Sequence, residues 1–529
     1  MPKPFSDFPV KEQSEGMNSA KSLVKVREWL DVCRSSHKLC TAQASNTTVL
    51  PKRVLDVSAG VVKLHESNEE QGLYVCLSHC WGGVEPACKT TSDTIESNKR
   101  GIDPAKIPAT FRDAIDFTRS VGYRYLWIDS ICIIQDNHED WALQSSLMAE
   151  IYANAVLTIC ATSAANDNGG LYLETPENWL PQRVRIEGED KQEYEVYVRY
   201  DLDDRHIPGW ESTAMKDIAT NFPLLTRAWT YQERLLSPRL VHFTKGELMW
   251  ECSELSDCEC WQSQDAEPSP YMQQDFSTKG YYYWTLLEGK STFDTSLWSN
   301  IMSVFTGLNL TLSKDKLPAL SGVVKQVMSS RPGDEYLAGL WRKTIIRDLC
   351  WIVWSRHSRR PLTWRCPSWS WGSLDGPVRH GDYRIQAGGS GYAECLDASI
   401  TLAGPDQAGA VSFGYVILNA VVVPVSLLAA DEWTTWGDWY LTRAGYKLPF
   451  LPDCESNKDQ GGLMVDDKLV CLRLAKSTDG VDWCLILKQI RADDPLPVYK
   501  RVGILNRGER ELGKFWFSEG LKSQRVKIV

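Results

Sequence analysis

Residues 126–136, "LWIDSICIIQD", decide how this chain is read. The run has the apolar composition of a buried strand, yet Asp129 stands in its middle and Gln135 and Asp136 close it. An unpaired carboxylate inside a sheet costs several kcal/mol, so stability alone does not explain Asp129. The flanking segments supply a reason. "LYVCLS" (73–78) reads as a short, nearly continuous apolar strand, and "IPATFRDAIDFTRSVGY" as a helix with Pro108 near its start and Gly122 as its stop. "YLWID" (125–129) is the next strand. "HEDWALQSSLMAEIYANA" sets Trp141, Met148, Ile151 and Tyr152 at helical spacing, and "AVLTICA" (155–161) is a third strand. Strand alternating with helix predicts an α/β core with a parallel sheet. Ligands of such sheets bind beyond the carboxyl ends of the strands. That rule places Ser78, His79 and Trp81 after the first strand and Asp129 with Ser130 after the second, on one rim.

At 529 residues the chain exceeds what one hydrophobic core supports, so two or three domains are expected. Hydrophobic residues make up 43% and charged residues 24%, ordinary globular usage, while 22 tryptophans are an excess that invites aromatic-lined cavities. A net charge of -10 without any Lys/Arg block argues against a nucleic-acid partner. The 16 cysteines are scattered singly through apolar runs, which suits reduced thiols and a cytoplasmic location. The N-terminus has no apolar signal region and no window approaches 18 apolar residues, so neither a secretory signal nor a membrane partner is expected.

Residues 1–21 read as a mobile arm, followed by a helix at about 20–34 and a hairpin around Ser58, Ala59 and Gly60; together 1–70 form an N-terminal extension. The core runs over 71–255, with a polar insertion at about 166–220 that holds one strand candidate, "EYEVYVRY". Within it, "PLLTRAWTYQERLLSPRLVHFTKGELMWEC" gives a helix at 226–236 and a hairpin turning at Lys245 and Gly246. Residues 256–334 read as a helical connector, polar to about 290. Residues 335–529 form a β-rich C-terminal domain with strands at "ASITLAG", "YVILNAVVV", "LVCLRLA", "DWCLILKQI" and "YKRVGIL".

Three blocks, "YVCLSHCWGG" (74–83), "LWIDSICIIQDNHEDWALQSSLMAEIYANAVLTICAT" (126–162) and "LTRAWTYQERLLSPRLVHFTKGELMWEC" (225–252), closely resemble the heterokaryon-incompatibility (HET) domain of filamentous fungi, in the same order and at similar spacing. "WLDVCRSSHKLC", "DKLPALSGVV", "YLAGLW", "CPSWSWGSLDG" and "YKRVGIL" are also similar to segments that accompany the domain. His79 with Cys80 departs from the family, which more often has an aromatic or small pair there. The resemblance implies non-self recognition leading to programmed cell death, with a protein partner of the incompatibility type. It further implies a TIR/flavodoxin-like core, and through some TIR domains an NAD glycohydrolase-like activity, with NAD as substrate and no bound cofactor.

Cleavage of an N-glycosidic bond to ribose passes through an oxocarbenium-like state that a carboxylate stabilises. Glu233 is the preferred catalytic carboxylate and Asp129 the supporting one. The competing structural roles are a helix cap for Asp129 and a bridge from Glu233 to Arg227 or Arg234. Trp81 and Trp229 offer faces for a planar base, weighed against core packing, and Gly82 and Gly83 permit close backbone approach. Ser78, His79, Ser130, Cys132, Arg227 and Gln232 complete the expected ligand contacts. Ser78 and His79 do not make a nucleophile–base pair, because neighbours on a strand point to opposite faces. Cys132 reads more readily as a small buried hydrophobe than as a nucleophile. Cys33, His37 and Cys40 have metal-ligand spacing, and "CSELSDCEC" (252–260) offers a fourth thiolate; no metal is assigned. The chain has no phosphate-binding GxxxxGK[ST] loop and no GxGxxG after a strand. Two other readings stay open: an enzyme acting on a small hydrophobic metabolite, and a non-catalytic signalling or assembly module.

Overall fold

The strand that carries Asp129 ends two residues before it. Tyr125–Trp127 is extended, Ile128 completes the run, and Asp129–Cys132 turns into a short helix. The computed structural model describes residues 17–18, 20–41, 47–83, 86, 88–180, 182–187, 191–198, 219–259, 278–287, 295–355, 357–381, 385, 393–434, 437–454, 463–492, 496–508, 512, 516–517 and 520–529. Most of the expected N-terminal arm and the 199–218 part of the expected insertion lie outside the described residues. The chain divides into two compact units, Met1–Glu288 and Gly289–Val529.

The first unit is built on an eight-stranded sheet. Its strands are β1 (Arg53–Asp56), β2 (Lys63–Glu66), β3 (Tyr74–Ser78), β4 (Tyr125–Trp127), β5 (Leu157–Cys160), β6 (Arg239–Phe243), β7 (Leu248–Cys252) and β8 (Ser256–Cys258). The order across the sheet is β8-β7-β6-β5-β3-β4-β1-β2. Only β4, β3, β5 and β6 run parallel to one another. The parallel sheet expected from the alternation is therefore the centre of a mixed one. Antiparallel strands extend both sides: β1 and β2 beside β4, β7 and β8 beside β6. Short hairpins of this kind suit an edge, since parallel pairs need helical crossovers and hairpins do not.

The central strands are buried throughout, which is why they read as continuous apolar runs. Helix α1 (Ala20–Ser36) buries Val26, Trp29, Leu30 and Cys33, and Trp29 stacks on Trp250 of β7 with ring centroids 6.0 Å apart. Helix α2 (Ala109–Ser120) connects β3 to β4; after it come the short α3 (Asp129–Cys132) and α4 (His138–Asn154), which lead to β5. Asn137 caps α4 by accepting from the amides of Glu139 and Asp140. Alternation along β3 separates the two faces of the sheet. Tyr74 and Cys76 reach the carbonyl of Ile151 on α4, whereas the His79 ring packs edge-on against Phe111 of α2 at 4.9 Å.

Helix α5 (Ala228–Leu236) follows a turn at Pro223–Thr226, and β8 lies beside β7. Gln182–Glu187 pairs with Glu193–Val198 as a separate two-stranded ribbon. A helix at Thr278–Leu287 falls in the segment expected to be a helical connector, polar to about 290; its aromatic run buries Tyr282 and Tyr283. The second unit is β-rich as expected. Its sheet is organised by one long strand, Val411–Thr434, which pairs with Glu394–Leu402, Gly437–Arg443, Leu469–Lys476 and Ser523–Ile528. Arg501 is buried there against Asp453 at 3.1 Å. Part of the tryptophan excess serves packing: Trp127, Trp250, Trp341, Trp351, Trp369, Trp371, Trp483 and Trp516 are among the largest fully buried side chains.

Candidate active site

Ser78, the last residue of β3, and Asp129, just past β4, lie level with each other because Cys76 pairs with Trp127 in parallel register. Both stand at carboxyl ends of neighbouring strands. Between β3 and β5 the chain reverses its direction of travel across the sheet, the place where an α/β sheet opens a crevice. Helix α5 brings Glu233 to this crevice, and Ser78 Oγ donates to Glu233 Oε2 at 2.5 Å. Glu233 is buried, only 6% exposed. Burial raises its carboxyl from 4.5 to about 7, with the Asp129 charge adding to the rise; the Ser78 hydrogen bond and the Arg227 guanidinium hold it back. The two carboxylates, more than 100 positions apart in the chain, thus feel each other's charge.

Asp129 is held on several sides. Its Oδ1 accepts from the Ser130 amide at 2.7 Å and its Oδ2 from the Trp81 indole N–H at 3.1 Å. Gln135 Nε2 donates to the Asp129 carbonyl at 3.1 Å. The Asp129 side chain keeps 21% of its surface exposed, so it reaches solvent while Glu233 does not. His79 Nδ1 lies 3.8 Å from Asp129 Oδ1, beyond hydrogen-bond length. Burial and the nearby Arg227 lower the His79 pKa against the pull of Asp129 and Asp167, so the ring is neutral and the contact is not an ion pair. Among the described residues, His79 Nε2 and Ser130 Oγ are buried without a hydrogen-bond partner. Buried polar atoms left unpaired in this way call for an explanation such as a ligand.

Ser78 and His79 face opposite sides, so the nucleophile–base pair is absent as the strand geometry requires. Arg227 Nη1 donates to the His79 carbonyl, tying the start of α5 to the end of β3. Glu233 is not bridged to Arg234, whose guanidinium instead pairs with Glu251 at 2.6 Å. Cys132 is buried and its thiol is pushed up to about 12 by burial, which removes it as a nucleophile. Trp229 packs half-buried against the apolar core, Trp81 is half-buried at the rim, and Gln232 is buried on α5. Gly82 and Gly83 both have positive φ, +80° and +74°. They differ in surroundings: a Cβ on Gly82 would come within 2.4 Å of Asn166 Cβ, whereas Gly83 has open space. Gly82 serves close packing of two loops, and Gly83 leaves the approach to Trp81 clear.

Comparison with known proteins fits this placement. The family model described as "Heterokaryon incompatibility protein (HET)" matches residues 74–233, which begin at β3 and end at Glu233. This chain carries a HET domain. "Heterokaryon incompatibility protein 6, OR allele" of Neurospora crassa is 26% identical over 107 residues, covering 19% of this chain and 16% of that relative. No solved structure matches.

Two further groups of residues beside the crevice lie outside the site expected from the sequence. Tyr152 of α4 hydrogen-bonds the Leu77 carbonyl at 3.2 Å and helps to hold Glu233 ionised. A tyrosine on an apolar helical stripe signals such a role, because its hydroxyl must find a partner. Arg53 of β1 and Asp140 of α4 pair in the core, and Arg53 Nε donates to the Cys132 carbonyl at 2.7 Å while Ile134 N donates to Asp140 at 3.0 Å. This pair fixes the 129–136 turn from below. Its only sequence signal was a charge flanking an apolar strand in a segment read as an extension.

Proposed function

We propose that this chain is a HET-type incompatibility factor whose acidic crevice hydrolyses the N-glycosidic bond of a nicotinamide dinucleotide. The observation that carries the reading is Glu233: a buried carboxyl at the carboxyl end of a parallel sheet, hydrogen-bonded to Ser78 and shifted to about 7 in the field of Asp129. The parallel strand order β4-β3-β5-β6 at the centre of the mixed sheet supports our reading of a TIR/flavodoxin-like core and, with it, the same crevice as the ligand site. The relative's name supports the biological role, incompatibility between individuals, with a protein partner.

In this mechanism the ribose sits over Glu233 and the nicotinamide leaves with the electron pair of the broken C–N bond. Water's oxygen bonds to the anomeric carbon, and its proton passes to Glu233 and then to solvent. The ionised carboxylate stabilises the oxocarbenium-like state, so it acts where charge develops. Asp129, partly exposed and held by Trp81 and Ser130, orients the ribose hydroxyls. The unpaired atoms of His79 and Ser130 are donors or acceptors for the ligand.

Yeast expressing the wild-type chain is expected to lose NAD, and yeast expressing Glu233→Gln at matched levels is not. Purified wild type should release nicotinamide at least about 100-fold faster than Glu233→Gln, the scale of losing one preorganised electrostatic group. Undiminished NAD with folded wild-type protein overturns the reading.

A further inference from the structure

We propose that Cys33, His37, Cys40 and Cys252 bind a structural zinc ion that fastens the N-terminal helix to the edge hairpin of the first unit. Cys33 lies near the end of α1, His37 directly follows that helix, and Cys40 is in the short helix Lys38–Thr41. Cys252 closes β7, more than 200 positions away in the chain. The four ligand atoms all lie within 4.8 Å of one another. A tetrahedral ion with bonds of about 2.3 Å to sulfur needs ligand atoms roughly 3.8 Å apart, so only small side-chain adjustments separate this cluster from a bound site. Three thiolates and one imidazole form a borderline-soft set that selects zinc over calcium or magnesium. With four protein ligands the site is closed, hence structural rather than catalytic.

Arg239 points independently to the same ion. It is fully buried in β6, and among the described residues no carboxylate lies within ion-pair distance of it. Its Nε donates instead to Cys33 Sγ at 3.2 Å, and Nη2 to the Cys40 carbonyl at 3.4 Å. A buried guanidinium without an anion is strongly unfavourable. Three thiolates and a neutral imidazole around a divalent cation carry one net negative charge, which Arg239 balances. Hydrogen bonds to ligating sulfur are the usual way a protein supports such a site. The sulfurs are also free thiols in mutual contact, with Cys252 Sγ 3.3 Å from His37 Nδ1.

The test uses the full-length chain purified without chelator. Wild type is expected to carry one zinc per chain; Cys252→Ser and Cys33→Ser lose it, and Cys395→Ser, outside the cluster, keeps it. Cobalt exchanged for the zinc should give the intense visible bands of a tetrahedral site and a thiolate charge-transfer band. His37→Cys should keep the metal and strengthen that band as the thiolate count rises from three to four. If the serine variants fail to fold, the His37→Cys spectrum and thiol titration of native wild type with and without chelator still decide, with three thiols gaining reactivity when zinc is removed. Zinc content in wild type no higher than in Cys252→Ser, a disulfide joining two of the three cysteines, or thiol reactivity indifferent to chelator would each overturn the proposal.

Discussion

Glu233 is ordinary in type and unusual in setting. Among the described residues several buried carboxylates are ion-paired: Glu251 with Arg234, Asp140 with Arg53, Asp453 with Arg501. Glu233 has a hydroxyl partner and a nearby carboxylate, an arrangement that costs stability and is retained for what the group does. Its folded pKa lies above its unfolded one, so the stability tied to its protonated form is full below about 4.5 and is lost as pH rises through about 7. That loss corresponds to roughly 3 kcal/mol. Glu233→Gln keeps an acceptor for Ser78 and removes the charge. Denaturant unfolding is expected to find the variant more stable than wild type by about 2 to 3 kcal/mol at pH 8, with the gap closing at pH 4.5. A variant less stable than wild type at pH 8 would assign Glu233 a purely structural role. For catalysis the sign reverses: the ionised form acts, so the rate of nicotinamide release should climb with pH and level off above about 7.

At the scale of elements, the site depends on how the 129–136 turn is anchored. Asp129 sits in a four-residue helix that cannot hold itself, and Arg53 clamps the turn through the Cys132 carbonyl and Asp140. Arg53→Ala leaves the buried Asp140 with only the half-exposed Lys52, 3.3 Å away, as its cation and should cost about 3 kcal/mol, whereas Arg53→Met with Asp140→Leu should recover most of it. Comparing unfolding midpoints of the single and double variants checks this; equal losses in both would mean that packing, not charge, dominates at Arg53. The same element shows what the sequence revealed and what it hid. The central strands β3, β4 and β5 and the helices α2 and α4 between them are legible in the apolar pattern, and the rim follows from strand direction; β8 and the helix Ile95–Arg100 are not. The mixed character of the sheet was not, since "RVLDV" and "VKLHE" carry only local hairpin signals and nothing in them says which strand they join. Arg53 and Tyr152 are not legible there for the same reason: their partners lie 75 to 87 positions away.

For the molecule as a whole, the first unit carries two buried glutamates whose titrations pull in opposite directions, Glu233 on α5 and Glu251 on β7. Burial alone would raise Glu251, but Arg234, the hydrogen bond from His242 and Lys279 hold it well below the carboxylate range. Its contribution is therefore present above about 4.5 and is lost as pH falls below that value, whereas the Glu233 contribution is lost as pH rises toward about 7. Taken together, these two groups favour mildly acidic solution, between their two titrations, over either more acidic or alkaline solution. Thermal unfolding across pH 3 to 8 is expected to rise and then fall, and the two limbs should separate by mutation. Glu251→Gln weakens the acid limb, which the depressed Asp140 and Asp56 share, and lowers the midpoint at neutral pH, since it takes the Glu251 charge away from the buried Arg234, a loss of about 3 kcal/mol. Glu233→Gln removes the alkaline limb and leaves the acid one intact. An alkaline limb that survives Glu233→Gln unchanged would mean that other groups govern it, and with that the idea of a carboxyl kept in an unfavourable setting for its chemistry would lose its thermodynamic support.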